Sequence, residues 1–196
     1  IYNLTDSSMG LMVSNAGKIG IGTSSPNTNL EVVGTIRASG ATPAIQLKET
    51  DTTNAIQGFQ INSSGGSISF NSLNNNDGFT STDYQMHRTG SGAYYHKWFI
   101  ANSSKMILNN SGNLGIGTNS PSDYSSVANK LVVADSGNSG ITVASGTTSY
   151  GALYFADGTS GSAEYMGAME YNHNGNVMRI FANGAVGIQL DSNSRI

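Results

Sequence analysis

The sequence predicts an all-β chain built from two β-sandwich or β-meander modules. Three observations predict it. Short apolar, β-branched or aromatic runs recur along all 196 residues, separated by clusters of Gly, Asn, Ser and Asp, and that alternation reads as strands joined by turns. No stretch keeps a sustained helical or heptad period. One segment is repeated and divides the chain into two parts of similar plan.

The repeated segment is Leu11-Met12-Val13-Ser14-Asn15-Ala16-Gly17-Lys18-Ile19-Gly20-Ile21-Gly22-Thr23-Ser24-Ser25-Pro26. It returns without a gap as Met106 to Pro121. A degenerate third copy, Met178 to Ile188, keeps the internal spacing and loses the Gly-Thr-x-Ser-Pro ending. Each copy predicts strand, tight turn, strand. Gly17, Gly112 and Gly184 occupy a turn position that needs φ > 0. Gly20, Gly115 and Gly187 lie between apolar strand residues, where glycine signals the close approach of another backbone or a bulge. Gly22 and Gly117 complete the Gly-Ile-Gly motif. Pro26 and Pro121 cannot donate to a ladder and end the strand.

Taken in order, residues 1–16 form a lead-in strand with Leu11, Met12 and Val13. Leu30 to Ala38 is β-branched and partly alternating, a strand pattern. Its counterpart after the second copy is Lys130-Leu131-Val132-Val133-Ala134, reached by a connection six residues longer. The extra length marks Asp123 to Asn129 as a surface loop. Short strands are predicted at 44–47, 58–61, 67–70, 94–101 and 105–108, with turns at 62–66, 74–78 and 89–92. The second half repeats the plan with strands at 141–143, 151–155, 165–171, 177–182 and 186–190. Asp157-Gly158, Asn174-Gly175 and Asn183-Gly184 are hairpin-type turn pairs. Helix is limited to one turn at Asp51–Gln57 and two at most in Ser122–Lys130. The modules are expected to run over 17–111 and 112–196, each opening on Gly-Ile-Gly-Thr-x-Ser-Pro.

Charged residues are 11% of the chain, against roughly 25% in globular proteins, and Gly, Ser, Asn and Thr make up nearly half of it. The predicted surface is therefore one of hydroxyls and amides. A net charge of −3 provides no field for nucleic acid. The absence of cysteine excludes disulfides and thiolate metal sites. No apolar run approaches the ~18 residues of a membrane span, so membrane insertion is not expected, and no signal peptide is visible. The chain, starting at Ile1, is expected to be a fragment. Its strong aliphatics and Phe lie near the lower limit for a self-sufficient core. The apolar strand faces are therefore expected to bury against identical chains.

The pattern Asn-x-x-Gly-x-Ile/Leu-Gly-Ile-Gly-Thr-x-Ser-Pro followed by Leu-x-Val resembles segments of phage tail fibres and tailspikes that precede a self-cleaving C-terminal intramolecular chaperone. Gly167-Ala168-Met169-Glu170-Tyr171-Asn172-His173 to Phe181 resembles the Gly-x-Ile-x-Tyr-x-His and Met-x-Phe stretch found just before that chaperone. The resemblance implies an elongated homotrimeric β-rich fibre, strands intertwined between chains, at the distal end of a virion. It implies that residues 1–16 continue from an upstream fibre region and that Ile196 lies near where the chaperone would begin. Two identical chains, other tail or fibre proteins and a host surface glycan or protein are the implied partners. The expected function is structural: display of loops for host-cell attachment, without catalysis. A polysaccharide-degrading tailspike and a bacterial or prophage surface adhesin are the alternatives.

The stretch Phe79 to Phe99 is the candidate glycan- or receptor-binding patch. It holds Tyr84, His87, Arg88, Tyr94, Tyr95, His96, Lys97 and the only Trp, Trp98. Aromatic faces stack on sugar rings, and His, Lys and Arg hydrogen-bond hydroxyls. As one strand, Tyr94 to Ile100 places Tyr95, Lys97 and Phe99 on one face and Tyr94, His96, Trp98 and Ile100 on the other, where aromatics commonly serve as core or subunit interface. No catalytic residue is assigned. Glycoside hydrolysis needs two carboxylates flanking the bond, and Glu164 and Glu170 read as residues of a solvated strand face. No metal or cofactor is expected. His173 lacks a second His at ligand spacing, the Asp/Asn/Gly loops do not match a calcium loop, and Gly20-Ile21-Gly22 lacks the third Gly of a dinucleotide loop.

Overall fold

The computed structural model describes residues 10–49, 56–74, 76–88, 94–193 and 195. These residues are all-β, interrupted by two short 3₁₀ helices, Pro121–Asp123 and Gly161–Tyr165. The chain forms two compact units that divide between Asp135 and Ser136.

In the first unit, β1 (Leu11–Val13) and β2 (Ile19–Ile21) form a hairpin, and β3 (Leu30–Val32) returns parallel to β2. An eight-stranded sheet follows. The strands β4 (Ala44–Lys48), β5 (Ile56–Ser64), β6 (Ser67–Asn74), β7 (Phe79–Arg88), β8 (Tyr94–Ile100), β9 (Ser103–Leu108) and β10 (Leu114–Ile116) run as an antiparallel meander. β11 (Leu131–Val133) then adds in parallel beside β10. The second unit holds a four-stranded antiparallel sheet of β12 (Tyr150–Phe155), β13 (Gly167–Asn172), β14 (Val177–Ala182) and β15 (Ala185–Leu190).

The two full repeats fold alike. Gly17 and Gly112 close the hairpin turn at φ +75° and +70°, a region open to glycine without steric cost. Their amides donate to the carbonyls of Ser14 and Asn109. After the second strand the chain doubles back over the missing side chain of Gly20 or Gly115. A Cβ there would sit 2.5 Å from the Thr23 carbonyl oxygen in the first copy and 2.7 Å from that of Thr118 in the second. Gly22 and Gly117 then take φ +73° and +75° beneath the returning parallel strand. The amides of Val33 and Ala134 donate to Ile21 and Ile116, each at 2.9 Å. Pro26 and Pro121, past these strand ends, are both buried. The third copy behaves differently. Asn183 and Gly184, at φ 54° and 69°, make the tight β14–β15 turn, and Gly187 is the extra residue of a bulge opposite Ile180 and Phe181.

The architecture is a meander in both units. Among the described residues, close strand contacts run between ladder neighbours, and the apolar sheet faces stay largely exposed, as at Ile45, Ile116, Leu153 and Met169. The expected module boundary at 111/112 falls in the β9–β10 turn, inside the eight-stranded sheet. Ile141 to Val143 forms no strand. The run has no ladder partner, and β propensity alone does not make a strand. Asp157-Gly158 is no hairpin turn: both amides donate to the Ala163 carbonyl, folding the β12–β13 connection into the second 3₁₀ helix, which takes Tyr165 out of β13. In the Ser122–Lys130 stretch the only helix is the 3₁₀ turn that begins at Pro121. Residues 1–9 of the lead-in segment, 51–55 of the expected helical turn, Asn75 and the 89–92 turn lie outside the described residues; Ile56 and Gln57 belong to β5.

Candidate functional site

The registers of the eight-stranded sheet place one residue per strand in a row: Ile45, Ile61, Phe70, Tyr84, Trp98, Met106, Ile116 and Val133 lie directly opposite one another in turn. A second row on the same face runs Ile68, Met86, His96, Leu108, Leu114 and Leu131. Ring contacts knit the first row. Phe70 and Tyr84 lie 5.6 Å apart, and Tyr84 and Trp98 5.2 Å, within the range of favourable aromatic pairs. Yet none of these residues is buried, and Ile45 keeps 55% of its surface in water. The buried Leu73, Ile107 and Val132 all belong to the opposite face.

That opposite face also carries most of the polar side chains, and many of them bond one another across the strands. Asn71, 3% exposed, donates through Nδ2 to Asn62 Oδ1 at 2.8 Å and accepts from the Thr82 hydroxyl at 3.0 Å. Gln85 donates to Ser69 at 3.3 Å and accepts from the Tyr95 hydroxyl at 3.0 Å. Ser67 and His87 Nδ1 are 2.6 Å apart. His87 stacks on Tyr95 at 4.9 Å, with Lys97 Nζ 4.5 Å from the same ring. Burial pushes the Tyr95 phenol above its ordinary pKa of 10.0.

The structure therefore splits the candidate patch. Tyr84, Arg88, Tyr94, His96 and Trp98 lie on the apolar face, and His87, Tyr95 and Lys97 on the polar one. On the apolar side the Tyr84 hydroxyl hydrogen-bonds His96 Nδ1, and the Arg88 guanidinium stands over Tyr94 at 5.3 Å. A cleft of about 220 Å³ lies among Ile68, Met86, Arg88 and Tyr94. The sequence reading missed Asn62, Asn71, Gln85 and Thr82. The alternation Gln60-Ile61-Asn62 and Ser67-Ile68-Ser69-Phe70-Asn71 carried their signal, a polar face of period two.

The second unit has the same two-sided character. Leu153, Met169, Ile180 and Ile188 form an exposed apolar row across its sheet. On the other side Glu170 is buried and paired with Arg179 at 3.2 Å, and Arg179 also donates to Gln189 at 3.2 Å. Loss of hydration, followed by the Glu170 carboxylate beside it, raises the pKa of the Tyr154 phenol. Glu170 is thus held in a structural ion pair, and Glu164 lies in the second 3₁₀ helix. Among the described residues no three His, Cys, Asp or Glu side chains gather as a metal would need, and no helix is long and apolar enough to cross a membrane. No protein-family model matches the chain, and a comparison with curated proteins finds no match.

Proposed function

We propose that this chain is a segment of a homotrimeric phage tail fibre that displays loops for attachment to the host surface, without catalysis. One observation carries the reading: the largest sheet of each unit has an apolar face that stands open. A half-exposed Ile, Leu or Phe gains on the order of 1 kcal/mol when its burial is completed. A row of eight such side chains across the sheet is a driving force for association with identical chains. In the proposed assembly three copies turn these faces towards a common axis, and the hydroxyl- and amide-rich faces meet the solvent. The Gly-Ile-Gly-Thr-x-Ser-Pro resemblance supplies the tail-fibre identity, the trimer number, the virion location and the neighbouring fibre proteins as partners. The mass of the unheated protein in solution tests the reading: three times the 20.4 kDa of one chain is expected. A stable monomer at micromolar concentration refutes it.

A further inference from the structure

The polar face of the eight-stranded sheet carries a cavity of about 350 Å³. That volume lies at the lower end of small-molecule sites, roughly 300–1,000 Å³. We propose that it binds a neutral glycan, a sugar unit held by amides and hydroxyls against the ring of Phe79. The proposal rests on the attachment reading only in taking a cell-surface glycan as the ligand.

Four features support it. The polar wall is formed by Thr42, Gln60, Asn62, Asn71 and Thr82, and no lining residue carries a charge. Primary amides donate and accept at once, as sugar hydroxyls do, so the wall matches a neutral polyol and offers no counter-charge to an anion. Two of the amides are held in place before any ligand arrives: Asn71 is fixed between Asn62 and Thr82 by the two hydrogen bonds given above. Donors also remain available. The Gln60 amide and Asn62 Nδ2 make no hydrogen bond to another described residue, and Asn62 Oδ1, already engaged, fixes the direction of its own Nδ2. Finally, Phe79 is 59% exposed at the cavity, although it pairs with the buried Leu73 across the ladder. An exposed aromatic beside oriented amides gives a sugar both an apolar platform and directional bonds. The cavity lies on the face opposite the apolar rows, so an assembly that buries those rows leaves it open.

The test is saturation-transfer NMR and calorimetric titration of the assembled protein. The probes are glucose, galactose, mannose and N-acetylglucosamine, with sialic acid as an anionic comparator. At least one neutral sugar is expected to bind. Phe79→Ala and Gln60→Ala are each expected to weaken it about tenfold, and Lys97→Ala, on the same face outside the cavity, to leave it unchanged. The Gln60 side chain makes no hydrogen bond to another described residue, so its variant reports on the site even if Phe79→Ala disturbs folding. No binding by any neutral sugar, preference for sialic acid, or binding indifferent to Gln60→Ala overturns the proposal. Solution mass measured on the same samples separates the two claims. A trimer without sugar binding removes the site and keeps the fibre reading, and a monomer that binds sugar does the reverse.

Discussion

Gly17 and Gly117 share a backbone conformation and differ in what surrounds them, so replacing each by alanine separates two costs. Both have φ +75°. Alanine in that left-handed region costs about 1–2 kcal/mol wherever it occurs. Around Gly17 a Cβ would meet nothing within 4 Å, and Gly17→Ala should cost no more than that. At Gly117 a Cβ would overlap the carbonyl oxygen of Ala134. That carbonyl has no easy retreat, because the Ala134 amide is tied to Ile116 at 2.9 Å as β11 leaves the sheet. Forcing an extra atom into such a contact adds about 1–3 kcal/mol, which brings Gly117→Ala to about 2–5 kcal/mol. For a chain of this size each kcal/mol moves the melting temperature by about 2–4 °C. At about 3 °C per kcal/mol, the middle of that range, Gly17→Ala should lower it by about 3–6 °C and Gly117→Ala by about 6–15 °C. Gly22→Ala, whose Cβ would lie 2.9 Å from the Val33 carbonyl oxygen, should fall between them. Thermal melts followed by circular dichroism read all three. Equal losses at Gly17 and Gly117 would mean that the returning strand does not lie over the second glycine, and the account of the repeat would fail.

Ala101 occupies the β8–β9 turn at φ 49°, so Ala101→Gly should stabilise the protein by about 0.5 kcal/mol in urea unfolding, the relieved strain exceeding the added chain entropy. Ile45→Asp should break the proposed assembly into smaller species in sedimentation, whereas Gln46→Asp, one residue along and on the polar face, should not. In an alkaline absorbance titration Tyr154 should ionise above 10.0, and Glu170→Gln should move it back towards that value. The sign of that effect on stability follows. A raised phenol pKa contributes stability that is complete below pH 10.0 and is lost as the pH rises through the shifted value.

The turns were the most legible part of the sequence, because glycine at φ > 0 leaves a direct mark, as at Gly17, Gly112 and Gly184. Where other residues take that conformation the mark is missing. Ala101 and Asn102 form the β8–β9 turn at φ 49° and 62°, and Ala101 reads as strand. The Asn102 side chain then pins that turn to β7, through the Thr80 carbonyl and the Thr82 amide, each at 3.0 Å. β7 itself was hidden for a related reason. Thr80 and Asp83 are extra residues in its ladder with β6, and each bulge slips the polar–apolar period by one. In β8 the period is unbroken, so its division into Tyr95 and Lys97 against Tyr94, His96 and Trp98 could be read directly. The partners of those residues across β7 could not, and the candidate patch looked continuous where the sheet divides it.

The two faces of the large sheet solve the problem of a thin core in different ways. The Asn, Gln, Ser and Thr side chains opposite the apolar rows bond one another across the strands, so that face loses little by meeting water. The apolar rows have no comparable option within their unit, where none of their residues is buried. The polar face fixes register and orientation, and its few buried apolar residues, Leu73, Ile107 and Val132, supply only a small part of the transfer free energy that usually holds a fold together. In the proposed assembly that energy is released only when chains meet, so stability and protomer concentration are linked. The folded-over Gly-Thr turns fit the same logic. By laying Thr118 over Gly115 beside Ile107 of β9, the second turn covers part of the face away from the apolar rows. A side chain at Gly115 would fall on that same face, 2.7 Å from the Thr118 carbonyl oxygen, and would displace the turn while the apolar rows stayed clear.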